Sequence, residues 1–340
     1  MSDAILVLDR LNVSYQLDSS RKVQVVHDLS LEVGRGEVVG IVGESGSGKS
    51  TLGLSIPRLL PSNGRIESGQ VLFRGQDMTR MDRDALQQVR GRGLAMIFQD
   101  PSASLNPTFS IATQMIDVQK AHLRRAGPKY GTKELRSRAV AALASVGIPD
   151  AADRINDYPY QFSGGMLQRV MIAMAMLLEP DLLIADEPTS ALDVTLQAQI
   201  LHLLRRLNRE RSTSILLITH DLGVVSRICT KVVVMYAGRV VETAPIDEVF
   251  AHPKHPYTRA LLRALPTTGR RGKMLMAIPG GPPRLTNLPD GCKFVERCSY
   301  AVDQCHQDEP PLESLGRGTV RCWLADRIQA ESLYSDGVVS

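Results

Sequence analysis

Two textures of apolar patterning run through this chain and predict different elements. Ile5-Leu6-Val7-Leu8 with Val13 alternates loosely. Val23-Gln24-Val25-Val26 and Leu29-Ser30-Leu31-Glu32-Val33 set polar residues among apolar ones, so these segments predict half-buried strands. Val38-Val39-Gly40-Ile41-Val42, Leu182 to Ala185 and Ile215 to Ile218 are instead unbroken apolar runs, the pattern of parallel strands covered on both faces. A helix is predicted over Lys49 to Leu60, and the two later runs each follow a helical stretch. Strands and helices in alternation predict an α/β core with a mostly parallel sheet.

Between Gln99 and Ser163 the texture turns helical, over Ile111 to Arg125, Thr132 to Ser145 and Asp150 to Asn156. This predicts a helical subdomain of about 100–165 inserted into the core. Met166, Met171, Met174 and Met176 fall on the next helix, where core packing explains them. After Phe250, His252-Pro253-Lys254-His255-Pro256 breaks the pattern. A short helix over Tyr257 to Ala264 follows, stopped by Pro266. Residues 266–291 read as irregular, and Cys292 to Trp323 carries four of the five cysteines.

With 340 residues, 43% of them hydrophobic, the chain is long enough for one large domain and a smaller one. Net charge is +4 and aromatics are 4%, so neither a basic stripe nor a stacking surface for nucleic acid is expected; Arg90 with Arg92 and Arg270 with Arg271 read as solvated faces. The most apolar stretch, Val170 to Leu178, is cut by Glu179-Pro180-Asp181 and falls short of a membrane span. Met1-Ser2-Asp3 does not open a leader peptide, so a cytosolic location is expected.

The chemistry begins at Gly43-Glu44-Ser45-Gly46-Ser47-Gly48-Lys49-Ser50, which matches G-x-x-x-x-G-K-S in full. Glycines at 43, 46 and 48 let backbone N–H groups turn toward phosphates, and the following helix adds its dipole. Lys49 is predicted to reach the β- and γ-phosphates and Ser50 to bind Mg²⁺, with Thr51 a further nucleotide-binding candidate. Downstream come Phe162-Ser163-Gly164-Gly165-Met166 with Gln168-Arg169, then Leu182-Leu183-Ile184-Ala185-Asp186-Glu187-Pro188. In that order the three elements resemble the motor subunit of an ATP-binding-cassette (ABC) transporter. The resemblance implies a P-loop NTPase cassette over 1–250: a RecA-like core, an antiparallel β subdomain and the inserted helical subdomain. A small irregular C-terminal extension over 251–340 would carry the cysteines.

The same resemblance implies roles for single residues. Asp186 would join the Mg²⁺ shell and Glu187 would be the catalytic carboxylate that polarises water, with Ser190-Ala191-Leu192-Asp193 forming the next interface loop. Gln99 would touch Mg²⁺ or the attacking water, and His220 would contact the γ-phosphate. Tyr15 sits where the family stacks an aromatic on adenine, although a core tyrosine would look the same. Ser163, Gly164 and Gly165 would cap the ATP held by a second cassette; Met166 stands where the general pattern has Gln and leaves those residues intact.

Gln99-Asp100-Pro101 with Ser104-Leu105-Asn106-Pro107, the run Ala191 to Ile200, His255 to Leu262 and Ile278-Pro279-Gly280 narrow the resemblance. They are similar to D-type ATP-binding subunits of oligopeptide and dipeptide importers. Such a subunit implies a distinct F-type ATP-binding partner, two membrane permeases and an extracytoplasmic peptide-binding protein, with the chain peripheral on the cytoplasmic face of the inner membrane. Nickel–chelate, glutathione or sugar import stays open, as does a non-transport ABC ATPase or a metal-dependent sensor. For Cys292, Cys298, Cys305 and Cys322, disulfides are disfavoured in a reducing cytosol, zinc lacks its usual C-x₂₋₄-C knuckles, and ferredoxin spacing is absent. The resemblance implies a [4Fe–4S] cluster that staples the extension, with zinc or free thiols as alternatives. Cys229 reads as a small buried residue.

Overall fold

The computed structural model describes residues 3–123, 130–190, 192–265 and 278–330. Its strands are β1 (Ala4–Gln16), β2 (Lys22–Gly34), β3 (Val38–Val42), β4 (Gly64–Phe73), β5 (Gln76–Asp77), β6 (Leu94–Ile97), β7 (Leu182–Asp186), β8 (Ser214–Thr219), β9 (Lys231–Tyr236), β10 (Arg239–Pro245), β11 (Glu313–Leu315) and β12 (Gly318–Val320). The chain folds as two compact units. One holds the described residues up to Leu6, Val33–Val38 and those of Phe73–Ile218; the other holds Val7–Glu32, Val39–Leu72 and the described residues from Thr219 onward.

In the first unit β6, β7 and β8 run parallel, with Leu94 beside Leu182 and Leu182 beside Ser214. Every residue of β7 and β8 is buried, as the apolar runs Leu182 to Ala185 and Ile215 to Ile218 within them require. The helix Val194–Arg211 buries Ile200, Leu201, Leu203, Leu204 and Leu207, a helical spacing, and Asp193 caps it by accepting the N–H groups of Thr195 and Leu196 at 2.9 Å each. The helix Thr132–Ser145 turns Leu135, Ala139 and Leu143 inward, four residues apart.

In the second unit the sheet order is β11-β12-β10-β9-β3. β3 lies parallel to β9, and the remaining pairs are antiparallel. A separate sheet runs β2-β1-β4.

Several boundaries differ from the sequence reading. The two strands expected at Val23 to Val33 are one strand, because Asp28 takes a left-handed φ of 43° and carries the chain through the polar interruption. The first helix is Lys49–Ser55, not Lys49–Leu60: Pro57 has no N–H to continue the ladder and Arg58 turns left-handed at φ 55°. The predicted helix from Asp150 contracts to Ala151–Arg154, with Asp150 itself at φ 47°. The helix after the proline break starts at Pro256 and ends at Arg263. Ile111–Leu123 is helical, whereas Arg125, Ala191, Pro266, Arg270 and Arg271 lie outside the described residues. Met171 and Met176 sit in the core; Met166 and Met174 are half-buried. The extension adds β11 and β12, three residues each and too short for a periodic signal.

Gly40 in β3 is fixed by what faces it. A Cβ there would lie 2.5 Å from Val225 Cγ1 and 3.1 Å from Cys229 Sγ, on and just after the helix Leu222–Ile228. Valine is stiff at χ1 and cannot swing aside. Gly40→Ala is expected to cost about 1–3 kcal/mol in a denaturant unfolding curve. Adding Val225→Ala should recover part of that loss, and an unchanged midpoint for Gly40→Ala alone would refute the packing argument.

Candidate nucleotide-binding site

The phosphate loop leaves the end of β3 in the second unit. At Gly43 a side chain is excluded, since a Cβ would stand 2.2 Å from the Met235 carbonyl oxygen of β9. Gly48, the N-cap of the helix Lys49–Ser55, has φ 96°, a conformation glycine adopts without cost. By contrast, a Cβ on Gly46 would meet nothing within 4 Å, so the loop is open there. Lys49 is only 6% exposed, and its ammonium donates to the Gly43 and Glu44 carbonyls at 2.7 and 2.9 Å and to Ser47 Oγ at 3.4 Å. A buried cation beside an open glycine loop fits a polyphosphate. Ser45 and Ser50 are exposed, while Tyr15 OH is 3.4 Å from Thr51 Oγ1. The structure thus brings Tyr15 to the first turn of the phosphate-loop helix.

Two residues at this loop escaped the sequence reading. The Glu44 N–H donates to Tyr257 OH at 2.8 Å, and the Glu44 carboxylate takes a two-pronged ion pair from Arg297 at 2.6 and 2.9 Å. Arg297 also donates to the Pro279 carbonyl at 2.7 Å and Tyr236 OH at 3.3 Å, and it packs over the Tyr236 and Phe294 rings. Tyr257 is placed by Glu242, a carboxylate buried on β10. Glu242 accepts the N–H groups of Lys254 and His255 at 2.9 Å each, and burial raises its pKa. Burial holds His255 at about 3, so the ring is neutral and its Nδ1 accepts the Tyr257 N–H at 3.0 Å, capping the helix Pro256–Arg263. The His255-Pro256-Tyr257-Thr258 run was visible as a motif, but nothing in its spacing points at residue 44.

The acidic residues belong to the first unit. Asp186 ends β7 and is 6% exposed; Glu187 is 9% exposed, with φ 48°. That left-handed turn is costly for a glutamate, and it persists because the Glu187 N–H donates to the Ile218 carbonyl at 2.8 Å while its own carbonyl accepts Ser190 Oγ at 3.1 Å. Gln99 follows β6 and is exposed. Ser163 caps the helix Gly164–Met176 through its Oγ. A Cβ on Gly164 would enter open space, whereas one on Gly165 would lie 2.9 Å from Leu196 Cδ1. The helix start is therefore bare on one side and packed on the other. Arg169 anchors it, donating to the Val146 carbonyl at 2.5 Å and Gln199 Oε1 at 2.8 Å. His220, in the second unit, is exposed and directly precedes Asp221, the N-cap of the helix Leu222–Ile228.

The metal expectation for the cysteines is corrected. Cys292, Cys298, Cys305 and Cys322 do line one cavity with His255, Phe294 and Trp323, but its volume is 10 Å³, about one water molecule. Among the described residues no group of three or more His, Cys, Asp or Glu is placed to hold a metal ion, so neither the expected [4Fe–4S] cluster nor zinc is supported there. Burial pushes Cys298 up to about 11 and Cys322 up to about 12, and also raises Cys292. The extension is fastened by other means. β12 pairs with β10, and Glu309 pairs with Arg239, with Lys293 at 3.2 Å and with Arg321 at 3.7 Å. Lys254, 1% exposed at its side chain, pairs with Glu248 at 2.6 Å. Cys229 is buried, and burial raises its pKa.

Residues 26–190 match the family described as ABC transporter, and residues 241–305 match the oligopeptide/dipeptide transporter C-terminal region. The dipeptide transport ATP-binding protein DppD of Escherichia coli is 47% identical over 315 residues, covering 93% of this chain and 94% of that protein. The oligopeptide transport ATP-binding protein OppD of Haemophilus influenzae is 46% identical over 304 residues, covering 89% and 92%. Among solved structures, an ATP-binding cassette dimer in a post-hydrolysis state with ADP and Pi superposes with TM-score 0.63 at 26% identity, covering 71% of this chain and 98% of that one. CbiO1 of Clostridium perfringens, part of the ABC transporter complex cbiONQ, gives TM-score 0.61 at 30% identity, with 73% and 91% covered. Among the described residues no helix is long and apolar enough to cross a membrane.

The raised thiols have a measurable consequence. A Cys298 pKa of about 11 against the usual 9 lowers its thiolate fraction about 100-fold at pH 8. Alkylation of the native protein at Cys298 and Cys322 should therefore be slow at pH 8 and climb steadily toward pH 11. Rapid labelling at pH 7, quantified by mass spectrometry, would contradict this state.

Proposed function

The chain belongs to the ABC transporter family, and from that premise we propose that it is the ATP-hydrolysing motor subunit of a binding-protein-dependent importer of dipeptides and oligopeptides. The observation that carries this reading is that the likeness runs through both the cassette and the C-terminal region, rather than through the phosphate loop alone. Residues 1–250 form the nucleotide-binding domain, with the helical subdomain at about 100–165 inserted, and 251–340 form the importer-type C-terminal domain.

Phosphoryl transfer asks the protein mainly for positioning and charge. Lys49 and the N–H groups of the glycine loop hold the phosphates, and Tyr15 faces the adenine. Ser50, Gln99 and Asp186 would hold Mg²⁺, which neutralises charge on the phosphate oxygens when bound. Glu187 orients the attacking water, and the left-handed backbone it keeps just past β7, at φ 48°, is the kind of strain found at functional sites. His220 contacts the terminal phosphate. Ser163, Gly164 and Gly165 serve the nucleotide of a second cassette, and the bare side of the helix at Gly164 supports that role.

Peptides cross the membrane through two permease subunits and arrive on an extracytoplasmic binding protein. The chain docks peripherally at the cytoplasmic face of the inner membrane beside a distinct F-type ATP-binding subunit.

Glu187→Gln, assembled with its partners, should keep nucleotide binding while ATP turnover falls about 100-fold or more. Lys49→Ala should lose binding itself. Normal turnover by the glutamine variant would remove Glu187 from its role. In cells lacking this chain, uptake of labelled di- and oligopeptides should cease while nickel–chelate and glutathione uptake continue; the converse would reassign the cargo.

A further inference from the structure

We propose that Arg297 of the C-terminal region is a positioning residue for ATP binding: it grips Glu44 and cancels the carboxylate's charge, so that the phosphate loop can accept a polyanion. This rests on the nucleotide-binding reading above.

Glu44 is the second residue of the phosphate loop, and it is held at each of its polar groups. Its carbonyl accepts from Lys49 Nζ at 2.9 Å, its N–H donates to Tyr257 OH at 2.8 Å, and its carboxylate meets both arms of the Arg297 guanidinium at 2.6 and 2.9 Å. Two of the three partners come from the C-terminal region, 213 and 253 residues away in sequence. Arg297 is itself fixed, 6% exposed at its side chain, stacked on Tyr236 and Phe294 and tied to the Pro279 carbonyl. A planar fork held this way meets a carboxylate in one geometry, which a lysine would not reproduce.

The charge argument is separate from the geometry. A carboxylate beside a phosphate-binding loop repels the anion the loop exists to bind, most strongly where water is scarce. The Glu44 side chain is 22% exposed, so solvent does not screen it fully. The Arg297 ion pair makes the position neutral. Without Arg297 the loop would keep its glycines and Lys49 but carry an uncompensated negative charge. The C-terminal region thereby contributes to nucleotide affinity through a residue that need not touch the nucleotide.

The test is titration of the full chain with a fluorescent ATP analogue at 0.1 M and 1 M salt, alongside thermal unfolding of each variant without nucleotide. Arg297→Met should weaken binding about tenfold at low salt, and the deficit should shrink at 1 M, where the screening length is about 3 Å. Glu44→Gln keeps an acceptor for the guanidinium but loses the charge, so it should bind the analogue at least as tightly as the unaltered chain. Arg297→Met combined with Glu44→Gln should return to within about threefold of it. Glu44→Gln also stands as a test by itself if Arg297→Met folds poorly. The proposal is overturned if Glu44→Gln binds threefold or more weakly, if Arg297→Met binds normally, or if its deficit ignores both salt and the second substitution. Those outcomes would make the ion pair a structural fastening. If the unaltered chain bound the analogue no better than Lys49→Ala, the nucleotide-binding reading itself would fall, and this inference with it.

Discussion

A carboxylate removed from water must be answered by donors, and the C-terminal half of the second unit is arranged around one such group. Glu242 has no exposed surface, and the N–H groups of Lys254 and His255 converge on it. Their convergence fixes where the helix Pro256–Arg263 starts. That start sets Tyr257, whose ring joins Tyr236 and Phe294 at centroid distances of 4.7 and 5.4 Å. The aromatic cluster is the bed on which Arg297 lies. From one buried acid the order passes to a helix cap, then to a ring cluster, then to the phosphate loop. In a chain with only six phenylalanines and eight tyrosines, three of them meet at this point. That concentration is what lets so polar an assembly stay dry enough to be specific.

Local patterns were readable and distant ones were not. The phosphate loop is a consecutive run, so its glycines, its lysine and the strand and helix around it follow from spacing alone. β3, β7 and β8 are short and buried on both faces, which makes them continuous apolar runs that periodicity finds easily. β2 reads as two strands in sequence because His27 and Asp28 interrupt the apolar pattern; in the fold Asp28 is left-handed and its N–H donates to Asn12 Oδ1 at 2.9 Å, a tie that local pattern does not show. The ties from Glu44 to Tyr257 and Arg297 join residues more than two hundred positions apart. No composition or spacing rule reaches that far, and only the fold reveals them.

The cysteines teach a narrower lesson. Four thiols near one another in sequence do gather in space, as read. Gathering is not ligation, however. Ligation needs converging ligands and room for a metal, and among the described residues there is no such ligand group and only a cavity of 10 Å³. The fastening expected of a metal is delivered by Glu309, which answers Arg239, Lys293 and Arg321 together. Ion pairs sharing one carboxylate stiffen a segment too poor in apolar residues to make a core of its own.

The short hairpin of β11 and β12 has a consequence beyond architecture. β12 docks on β10 through the pairs Glu242 with Val320 and Thr243 with Thr319. Without it, β10 would present an open row of N–H and C=O groups, a template on which another unfolded or half-folded chain can add itself. The hairpin passes that edge to β11, which is only three residues long and offers exposed Glu313 and Ser314. So brief and polar a border gives an incoming strand little to grow along. The last described strands of the chain therefore act as a selvedge, finishing the sheet so that it does not unravel into its neighbours during assembly.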